Sequence, residues 1–527
     1  MSTQTLPVQA MNDREIISRD PATGKEIGRA PLSSPEEVRQ AVARARQAQP
    51  SWAKLSFRER GRVVLEARRL MLEARDEVAL LVSQETGKPV AEALSMEIVP
   101  TLDSMHYFAR ASESLLRPQK IDIGQYGLMG RSSRLVFEPL GVIGIISPWN
   151  FPLATPADEV VMALMAGNAV VLKPSELTPL IALKIGEIFT RAGLPAGLLE
   201  IMTGDGSTGA ALIDARVDKI MFTGSVATGK RVAEAAAKYL TPVVLELGGK
   251  DPMIVLEDAN IENAARGAVW GAFANAGQAC ASVERCYVQE TIASKFVDLV
   301  VRETRALKQG LGTDQAIDVG SMTNERQRKI VEEHVSDAVQ RGATVLTGGR
   351  RGANPEGFFY EPTVLTDVDH GMTIMRDETF GPVLPVMTFK TDDQAVTLAN
   401  DSAFGLTASV WTRNIARGRR IAERIAAGTV MVNEVVYTHG IAQTPWGGVK
   451  DSGYGRTHGR LGLLELVTTK HIHINRISFL PDLWWFRYDP SATKLFGGLA
   501  THFTTGSLTK TARLLPQMMR RLFRSRP

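Results

Sequence analysis

The chain has 527 residues, of which 44% are hydrophobic and 22% are charged. One hydrophobic core rarely organises a chain of this length, so we expect two or three domains, and the composition excludes a disordered or fibrous protein. The formal net charge is only +4, and we expect no nucleic-acid partner.

The only cysteines are Cys280 and Cys286. Two cysteines exclude a disulfide framework, and a cysteine-based zinc site would lack two ligands unless histidines completed it, so we expect no metal site. The low count fits a reducing compartment. The N-terminal residues are polar and of mixed charge, without the apolar run of a secretory signal, and we therefore expect a cytoplasmic protein.

In chain order, helical periodicity comes first, over residues 34 to about 117. Short apolar runs then alternate with helical stretches over residues 135–248, and a second such region covers about 251–440. This alternation predicts an α/β fold with a parallel sheet covered on both faces and ligands at the carboxyl ends of its strands. The uncharged stretches 139–157 and 160–172 are interrupted by prolines or too short to span a membrane.

Glycine-rich turns mark candidate phosphate-binding sites. GDGSTG, with Gly206 and Gly209, has the G-x-G-x-x-G spacing, but no acidic residue follows at the usual distance, so a plain tight turn is an equal alternative. Glu176 in LKPSE, near Lys173, is a better candidate for a ribose ligand, and its alternative is a solvated strand end. FTGSVATGK offers a second pyrophosphate site through Gly224, Ser225 and Gly229.

Covalent chemistry by a cysteine needs a thiolate and a partner that handles protons. Cys280 lies in a bend rich in Gly, Ala and Asn, whereas Cys286 opens the apolar run CYVQ. We interpret Cys286 as a buried structural thiol of a strand and Cys280 as the candidate nucleophile.

Seven segments together resemble the NAD(P)-dependent aldehyde dehydrogenase superfamily, in its order and approximate spacing over about residues 17–473. They are FANAGQAC ending at Cys280, LELGGKDP, SPWNFP, KPSE, FTGS, ETFGPV and PWGGVKDSGYGR. The resemblance implies a Rossmann-type cofactor domain (1–119 and 138–247), an α/β catalytic domain (248–445) and a small β oligomerisation element (120–137 and 446–475). It also implies a homodimer or homotetramer.

The resemblance further implies a mechanism. Cys280 would attack an aldehyde, the Asn150 amide and the Cys280 N–H would hold the oxyanion, and Glu246 would activate water to hydrolyse the thioester. NAD, or alternatively NADP, would be bound by Trp149, Lys173, Glu176, Gly206, Gly209, Phe222, Gly224, Ser225, Gly229, Leu247, Glu378 and Phe380.

Glu246 favours hydrolysis to a free acid, because branches of the superfamily that transfer the acyl group to coenzyme A generally lack this glutamate. Its alternative is a strand-end carboxylate paired with Lys250. A catalytically inactive nucleotide-binding protein of the same fold is a further alternative.

The resemblance places the segment NEVVYTHGIAQTP at the substrate tunnel, and this segment holds no Arg or Lys. We therefore expect a hydrophobic or broad-range aldehyde, with succinate semialdehyde as the alternative if Arg285 points into the pocket. We expect ordinary polar contacts for His439, and contact with the substrate is the alternative. ACASVERCYV also resembles a bacterial branch of carotenoid-dialdehyde and succinate-semialdehyde-type dehydrogenases.

Residues 476–527 extend beyond the family's usual end and carry nine Lys or Arg against two Asp. Their last part predicts a basic amphipathic helix, with an apolar stripe of Leu508, Ala512, Leu515, Met519 and Leu522. We expect an arm that packs on a neighbouring subunit or covers the tunnel mouth, and the alternative is peripheral contact with an anionic membrane through Trp484, Trp485 and Phe486. Pro516 interrupts the pattern unless a second helix begins there.

Overall fold

A computed structural model describes residues 11–12, 15–314, 316–486 and 488–524. The strands are β1 (Met11–Asn12), β2 (Glu15–Arg19), β3 (Glu26–Pro31), β4 (Gln119–Ile121), β5 (Arg131–Pro139), β6 (Val142–Ile146), β7 (Ala169–Lys173), β8 (Leu199–Ile201), β9 (Lys219–Thr223), β10 (Val243–Glu246), β11 (Asp251–Val255), β12 (Val283–Gln289), β13 (Thr344–Thr347), β14 (Thr363–Thr366), β15 (Val383–Phe389), β16 (Thr407–Trp411), β17 (Thr429–Val432), β18 (Gly453–Tyr454) and β19 (Val467–Asn475).

The helices are α1 (Pro35–Ala53), α2 (Phe57–Glu73), α3 (Arg75–Thr86), α4 (Val90–Glu92), α5 (Val99–Leu115), α6 (Ala154–Met165), α7 (Pro179–Arg191), α8 (Gly206–Asp214), α9 (Val226–Ala237), α10 (Ile261–Phe273), α11 (Ala293–Ala306), α12 (Glu325–Gln340), α13 (Thr373–Arg376), α14 (Asp392–Asn400), α15 (Ile415–Ala422), α16 (Gly459–Leu464), α17 (Pro490–His502), α18 (Leu508–Ala512) and α19 (Leu515–Arg524). The predicted helical lead-in is confirmed as α1–α5. Ser34 and Ser56 each form a capping box that fixes the start of a helix.

The chain divides into two compact units, Met1–Leu115 with Pro139–Val467 and Leu116–Glu138 with Thr468–Pro527. The first unit holds a six-stranded sheet in the order β18-β10-β9-β6-β7-β8, in which β18 alone runs antiparallel to its neighbour. The chain fills one side of β6 with β7 and β8 and then crosses to β9 and β10. The carboxyl ends of β6 and β9 therefore flank a topological switch point, where α/β sheets bind ligands.

A seven-stranded sheet of the same unit has the order β13-β14-β15-β12-β11-β16-β17. Its central strands β11 and β12 are buried along their whole length, as expected for parallel strands covered on both faces. Cys286 lies within β12 and is fully buried, so its prediction as a structural strand residue is confirmed. The predicted domain boundary at 247/248 falls between β10 and β11, which belong to different sheets, and it stays a prediction.

A buried ion pair links the helical lead-in to the start of α6. The Lys88 ammonium donates to Glu97 at 2.6 Å and to the backbone carbonyl of Asn150 at 2.7 Å, and both charged side chains are inaccessible to solvent. The second Glu97 oxygen accepts from the N–H groups of Leu153 and Ala154, where the positive end of the α6 dipole favours a carboxylate. The pair thus fixes the loop that carries Asn150.

The second unit combines a three-stranded sheet, β19-β5-β4, with the three helices α17–α19. These helices enclose a small core of Leu483, Leu495, Leu499, Phe503 and Leu514. The alternative that a second helix begins at Pro516 is confirmed: α18 ends at Ala512, and α19 begins at Leu515 with Pro516 in its first turn, so the predicted stripe is not continuous. The restart breaks the helical phase, so Leu522 packs against the core while Leu515 and Met519 remain exposed. In the described residues, no helix is long and apolar enough to cross a membrane.

Replacing Lys88 with methionine would leave the Glu97 carboxylate buried without its cation. We expect Lys88→Met to lower the free energy of unfolding by about 3–5 kcal/mol, measured by urea unfolding with tryptophan fluorescence. Lys184→Met is the matched control, because Lys184 pairs with the largely exposed Glu77 and Glu187 and its loss costs about 1 kcal/mol or less. Equal losses in the two variants would contradict the structural role of Lys88.

Candidate active site

A deep cavity of about 1960 Å³ lies in the first unit and reaches the carboxyl ends of β6 and β9. It brings together nearly all of the predicted site residues. Those that line it are Cys280, Glu246, Asn150, Trp149, Lys173, Glu176, Gly206, Gly209, Phe222, Gly224, Ser225, Leu247, Glu378 and Phe380. Gly229 is the exception: it lies in α9 against the Leu247 side chain, where an added Cβ would come within 2.5 Å of Leu247 Cδ2. The absence of a side chain at Gly229 therefore permits close packing of α9 against Leu247.

The loop that carries Cys280 has an unusual backbone. Asn275, Ala276 and Gly277 have φ values of 54°, 52° and 72°, a left-handed region that costs non-glycine residues about 1 kcal/mol or more each. A Cβ at Gly277 would lie 2.2 Å from the Gly381 carbonyl oxygen. Only glycine therefore fits the close approach between this loop and the segment after Phe380.

Amide hydrogen bonds hold this loop against Asn150. Asn150 Nδ2 donates to the Gln278 carbonyl at 3.1 Å, and Asn275 Nδ2 donates to the carbonyls of Asn150 and Gln278 at 3.0 Å each. The Gln278 side chain in turn accepts from the Thr323 N–H at 2.9 Å. These buried bonds offset the strained backbone and place the Asn150 amide in the wall that also holds Cys280.

Cys280 is partly exposed to the cavity, whereas Cys286 is buried. Burial among protein atoms raises the pKa of the Cys280 thiol, and the carboxylates of Asp251, Glu246 and Glu378 raise it further. The thiol is therefore neutral near pH 7, and nucleophilic attack requires a group that removes its proton.

Glu246 ends β10 and faces the cavity with both carboxylate oxygens buried and without a hydrogen-bond partner. The alternative that it pairs with Lys250 is wrong, because the Lys250 ammonium donates to Glu284 at 2.6 Å and to the Thr379 hydroxyl at 3.1 Å. Burial raises the pKa of Glu246 well above its ordinary value. Such a carboxyl group can act as a general base.

The β6–β9 half of the cavity fits a dinucleotide. The first turns of α8 and α9 face it through Gly206, Gly209 and Ser225, and N–H groups at helix starts bind phosphate. Apart from its chain neighbours and the backbone of its own helix, no atom of the described residues lies within 4 Å of a Cβ built on Gly206, so a ligand can approach its backbone. Glu176 lies 3.5 Å from Lys173 at the end of β7, which places a carboxylate and an ammonium where an adenosine ribose would lie.

The segment after α13 supplies the opposite wall. Glu378 accepts from the Gly249 N–H at 2.9 Å, and a Cβ at Gly248 would lie 2.3 Å from the Glu378 carboxylate. The Phe380 ring contacts the Trp149 ring edge to face, at 5.5 Å between centroids. Glu284 accepts from the N–H of Thr379 and of Phe380, both at 2.8 Å, and so fixes this wall from behind.

Arg285 does not point into the cavity. Its guanidinium is 1% exposed and donates to the carbonyls of Lys250, Leu398 and Ala399, at 2.8, 3.0 and 2.9 Å. A satisfied, buried guanidinium of this kind stabilises the turn after α14. Succinate semialdehyde was the alternative substrate if Arg285 pointed into the pocket, and that condition is not met.

His439 lines the cavity, as the alternative of contact with the substrate requires, and that contact stays a prediction. Its ring contacts the rings of Trp446 and His458 edge to face, at 4.9 and 5.0 Å. Burial and the neighbouring His458 lower the pKa of His439 to about 3, so the imidazole is neutral.

Several cavity residues were missed by the sequence analysis: Asp158, Glu159, Arg326, Lys329 and His458. Asp158 and Glu159 interrupt the apolar helix α6, and an acidic pair inside an apolar run is a signal that could have revealed them. Arg326 and Lys329 lie on the ordinary polar helix α12 and carry no such signal.

The raised pKa and partial exposure of Cys280 predict its reactivity. In the folded protein we expect iodoacetamide to alkylate Cys280 alone, at a rate that still rises with pH above 9 because only the thiolate reacts. Mass spectrometry of the two cysteine peptides measures this, with Cys280→Ala as the unlabelled control. A rate that levels off below pH 8, or labelling of Cys286 before unfolding, would contradict the structure.

Comparison with known proteins identifies the family. The profile of the aldehyde dehydrogenase family matches residues 8–472. The chain is 39% identical to the 4,4'-diapolycopene aldehyde oxidase of Methylomonas sp over 92% of its length and 90% of the relative's. It is 41% identical to a Mycobacterium ulcerans protein named "Putative succinate-semialdehyde dehydrogenase [NADP(+)] 2", over 88% and 90% of the two chains.

The fold matches as well. The crystal structure of the NAD-dependent aldehyde dehydrogenase from Sinorhizobium meliloti superposes with a TM-score of 0.86 at 37% identity, over 91% of this chain and 94% of that one. The confirmed α/β fold and the clustered motifs agree with these matches. The chain belongs to the aldehyde dehydrogenase family.

Proposed function

We propose that this NAD(P)-dependent aldehyde dehydrogenase oxidises a neutral, largely apolar aldehyde, with Cys280 as nucleophile, Asn150 as oxyanion donor and Glu246 as general base. The observation that carries the proposal is the convergence of these three side chains on one cavity, with both Glu246 oxygens unpartnered. NAD(P) bound beside β6–β9 supplies the two-electron acceptor.

The reaction has two steps in which residues of the chain act: attack of Cys280 on the aldehyde and hydrolysis of the thioester. Glu246 removes the Cys280 proton, and the sulfur bonds to the aldehyde carbon while the Asn150 amide and the Cys280 N–H hold the oxyanion. The adduct becomes a thioester when its carbon gives up a hydride to the bound nicotinamide, and Glu246 releases the cysteine proton to solvent. Water then bonds to the acyl carbon, its proton passes to the ionised Glu246, and the carbon–sulfur bond breaks to release a carboxylate and return its electron pair to Cys280.

Among the described lining residues, the charge distribution supports a neutral substrate. The lysines and arginines come from β2, β7, α9 and α12, whereas an apolar wall is formed by Met96, Val99, Pro100, Phe151, Trp270, Val436, Tyr437, Ile441 and Trp446. Acidic residues that also line the cavity include Asp103 and Asp158, and a negative charge repels a carboxylate. Succinate semialdehyde, the substrate class in the name of the mycobacterial relative, therefore suits this wall less well than an apolar aldehyde such as the Methylomonas enzyme's name indicates.

An aldehyde panel tests this proposal. We expect kcat/KM to rise about fourfold for each methylene that the substrate buries, and to be lowest for succinate semialdehyde, in assays of NADH or NADPH formation without coenzyme A. Cys280→Ser should lose about a thousandfold or more of the activity, while Cys286→Ala is the matched control. A preference for succinate semialdehyde would favour the alternative substrate, and full activity of Cys280→Ser would refute the mechanism.

We further propose that the second unit binds anionic membrane surfaces. Phe479, Trp485 and Phe486 are 77%, 63% and 79% exposed, and Leu515 and Met519 are exposed on α19. Exposed cations accompany them: Arg476, Lys494, Lys510, Arg513 and Arg520. Aromatic rings beside basic residues are typical of peripheral attachment to anionic lipid.

The homodimer or homotetramer stays a prediction, and the exposed edge strand β19 is where a second copy would pair.

Vesicle flotation tests the membrane proposal. We expect binding to phosphatidylglycerol vesicles and little to phosphatidylcholine, with a loss of about fivefold in affinity for each cation removed in Arg513→Ser and Arg520→Ser. Trp485→Ser with Phe486→Ser should also weaken binding. Leu240→Asn, at a 90% exposed position of the first unit, is the control. Equal binding to both lipids would refute the proposal, and self-association abolished by the same variants would assign the surface to protein packing.

A further inference from the structure

Two adjacent acids, Asp158 and Glu159, are buried in the otherwise apolar middle of α6. Their exposed fractions are 3% and 2%, and both line the cavity that holds Glu246. Burying a carboxylate is costly unless it is paired, so this arrangement needs a physical explanation.

The two acids have different partners. His458 Nε2 lies 3.0 Å from Asp158 Oδ2, and the other His458 nitrogen lies 3.1 Å from the Thr457 hydroxyl. Among the described residues Glu159 has no cationic partner, and its Oε2 is buried without a hydrogen bond, as are Asp158 Oδ1 and both oxygens of Glu246. Asp158 is thus held through one oxygen within a side-chain network, whereas Glu159 and Glu246 are two buried carboxyl groups of one cavity without a directly paired cation.

We propose that Glu159 is a positioning residue for thioester hydrolysis, whose negative charge controls when Glu246 can hold or release a proton. The inference rests on the proposed function, because it presupposes that Glu246 activates the hydrolytic water. It adds a residue from α6 that the seven family-like segments do not include.

Strand pairing connects the two acids: Thr223 pairs with Glu246 across β9 and β10, and its hydroxyl acts on the Glu159 carboxyl group. Electrostatics support this relation. Burial raises the pKa of Glu159 to about 8, and the neighbouring Asp158 charge adds to the effect, while the Thr223 hydroxyl opposes it. Burial is also the main cause of the raised pKa of Glu246, and the charge of Glu159 raises it further. Like charges in a site of low dielectric constant resist simultaneous ionisation.

Arg456 is the opposing charge at Glu246 and lowers its pKa. Its guanidinium also donates to the carbonyls of Gly448 and Gly455, at 3.0 and 2.6 Å, so its charge is shared with the backbone. Two charges of opposite sign therefore act on Glu246: a carboxylate from α6 and a guanidinium, shared with backbone carbonyls, from the segment after β18.

The negative charge of Glu159 affects proton transfer to Glu246 in the hydrolytic step. The water O–H bond breaks as its oxygen bonds to the acyl carbon, the proton goes to Glu246, and the electron pair of the carbon–sulfur bond returns to Cys280. Only ionised Glu246 can accept the proton, and the nearby Glu159 carboxylate makes that ionised form a stronger base.

The test is the pH dependence of thioester decay in Glu159→Gln. The acyl-enzyme is formed by mixing enzyme with NAD and one equivalent of a hydrophobic aldehyde, quenched over time, and the acylated Cys280 peptide is quantified by mass spectrometry. Removing the negative charge favours ionised Glu246, so its pKa falls and we expect the acid limb of the rate profile to move about one unit to lower pH.

Matched variants separate charge from shape. Glu159→Asp keeps the charge and should keep the limb near its wild-type position, and Glu333→Gln removes another carboxylate that lines the cavity without moving the limb. Should Glu159→Gln fail to fold, Glu159→Met provides the uncharged, apolar side chain. A limb that does not move in the folded uncharged variant refutes the inference.

The variant Glu246→Gln distinguishes failure of the inference about Glu159 from failure of the proposed function. If Glu246→Gln stops thioester decay while Glu159→Gln leaves the limb unmoved, only the role of Glu159 is wrong. If Glu246→Gln hydrolyses the thioester at the wild-type rate, the proposed general base itself is wrong.

Discussion

Removal of carboxyl and thiol groups from water is the physical constraint on which the cavity depends. Burial is the largest cause of the raised pKa values of Cys280, Glu246, Glu159 and Glu378. Each of these groups would be ionised more readily in water, and each is held here where its neutral form is favoured. A protein could relieve this cost by placing a cation beside each acid, but such pairing would remove the basicity that proton transfer requires.

The buried lysines are used for a different purpose. Lys88 pairs with Glu97 and holds the Asn150 carbonyl, while Lys250 pairs with Glu284, which fixes the N–H groups of Thr379 and Phe380. Both pairs lie behind the walls of the cavity and order its backbone. Charge compensation is therefore concentrated on the supporting segments, and the reactive carboxyl groups are left without a directly paired cation.

Much of this arrangement could be predicted from sequence, because strand ends and helix starts carry recognisable local patterns. The alternation of apolar runs predicts the α/β fold, and the residues after β6, β7, β9 and β10 lie in one cavity as parallel strands require.

Gly229 shows the limit of prediction from local sequence patterns. It shares its turn with Ser225, yet it packs against Leu247 because helix α9 rotates it away from the ligand side. Glu159 could not be assigned a role, because its effect depends on an electrostatic neighbour 87 positions away in the chain. The extension was also unpredictable in detail, since a break at residues 513–514 reset the helical phase.

Arg285 shows how contacts between distant parts of the chain fix the direction of a charged side chain. It lies five residues after Cys280, and a change of rotamer could be imagined to bring it to the substrate. However, its guanidinium nitrogens are bonded to carbonyls that end α14 and precede β11, and moving it would leave these buried acceptors unsatisfied at about 1–3 kcal/mol each. That cost exceeds the gain from a single ion pair in a partly hydrated cavity. Under the proposed preference for a neutral aldehyde, binding of an anionic aldehyde would thus require a new cation on the apolar wall rather than a movement of Arg285.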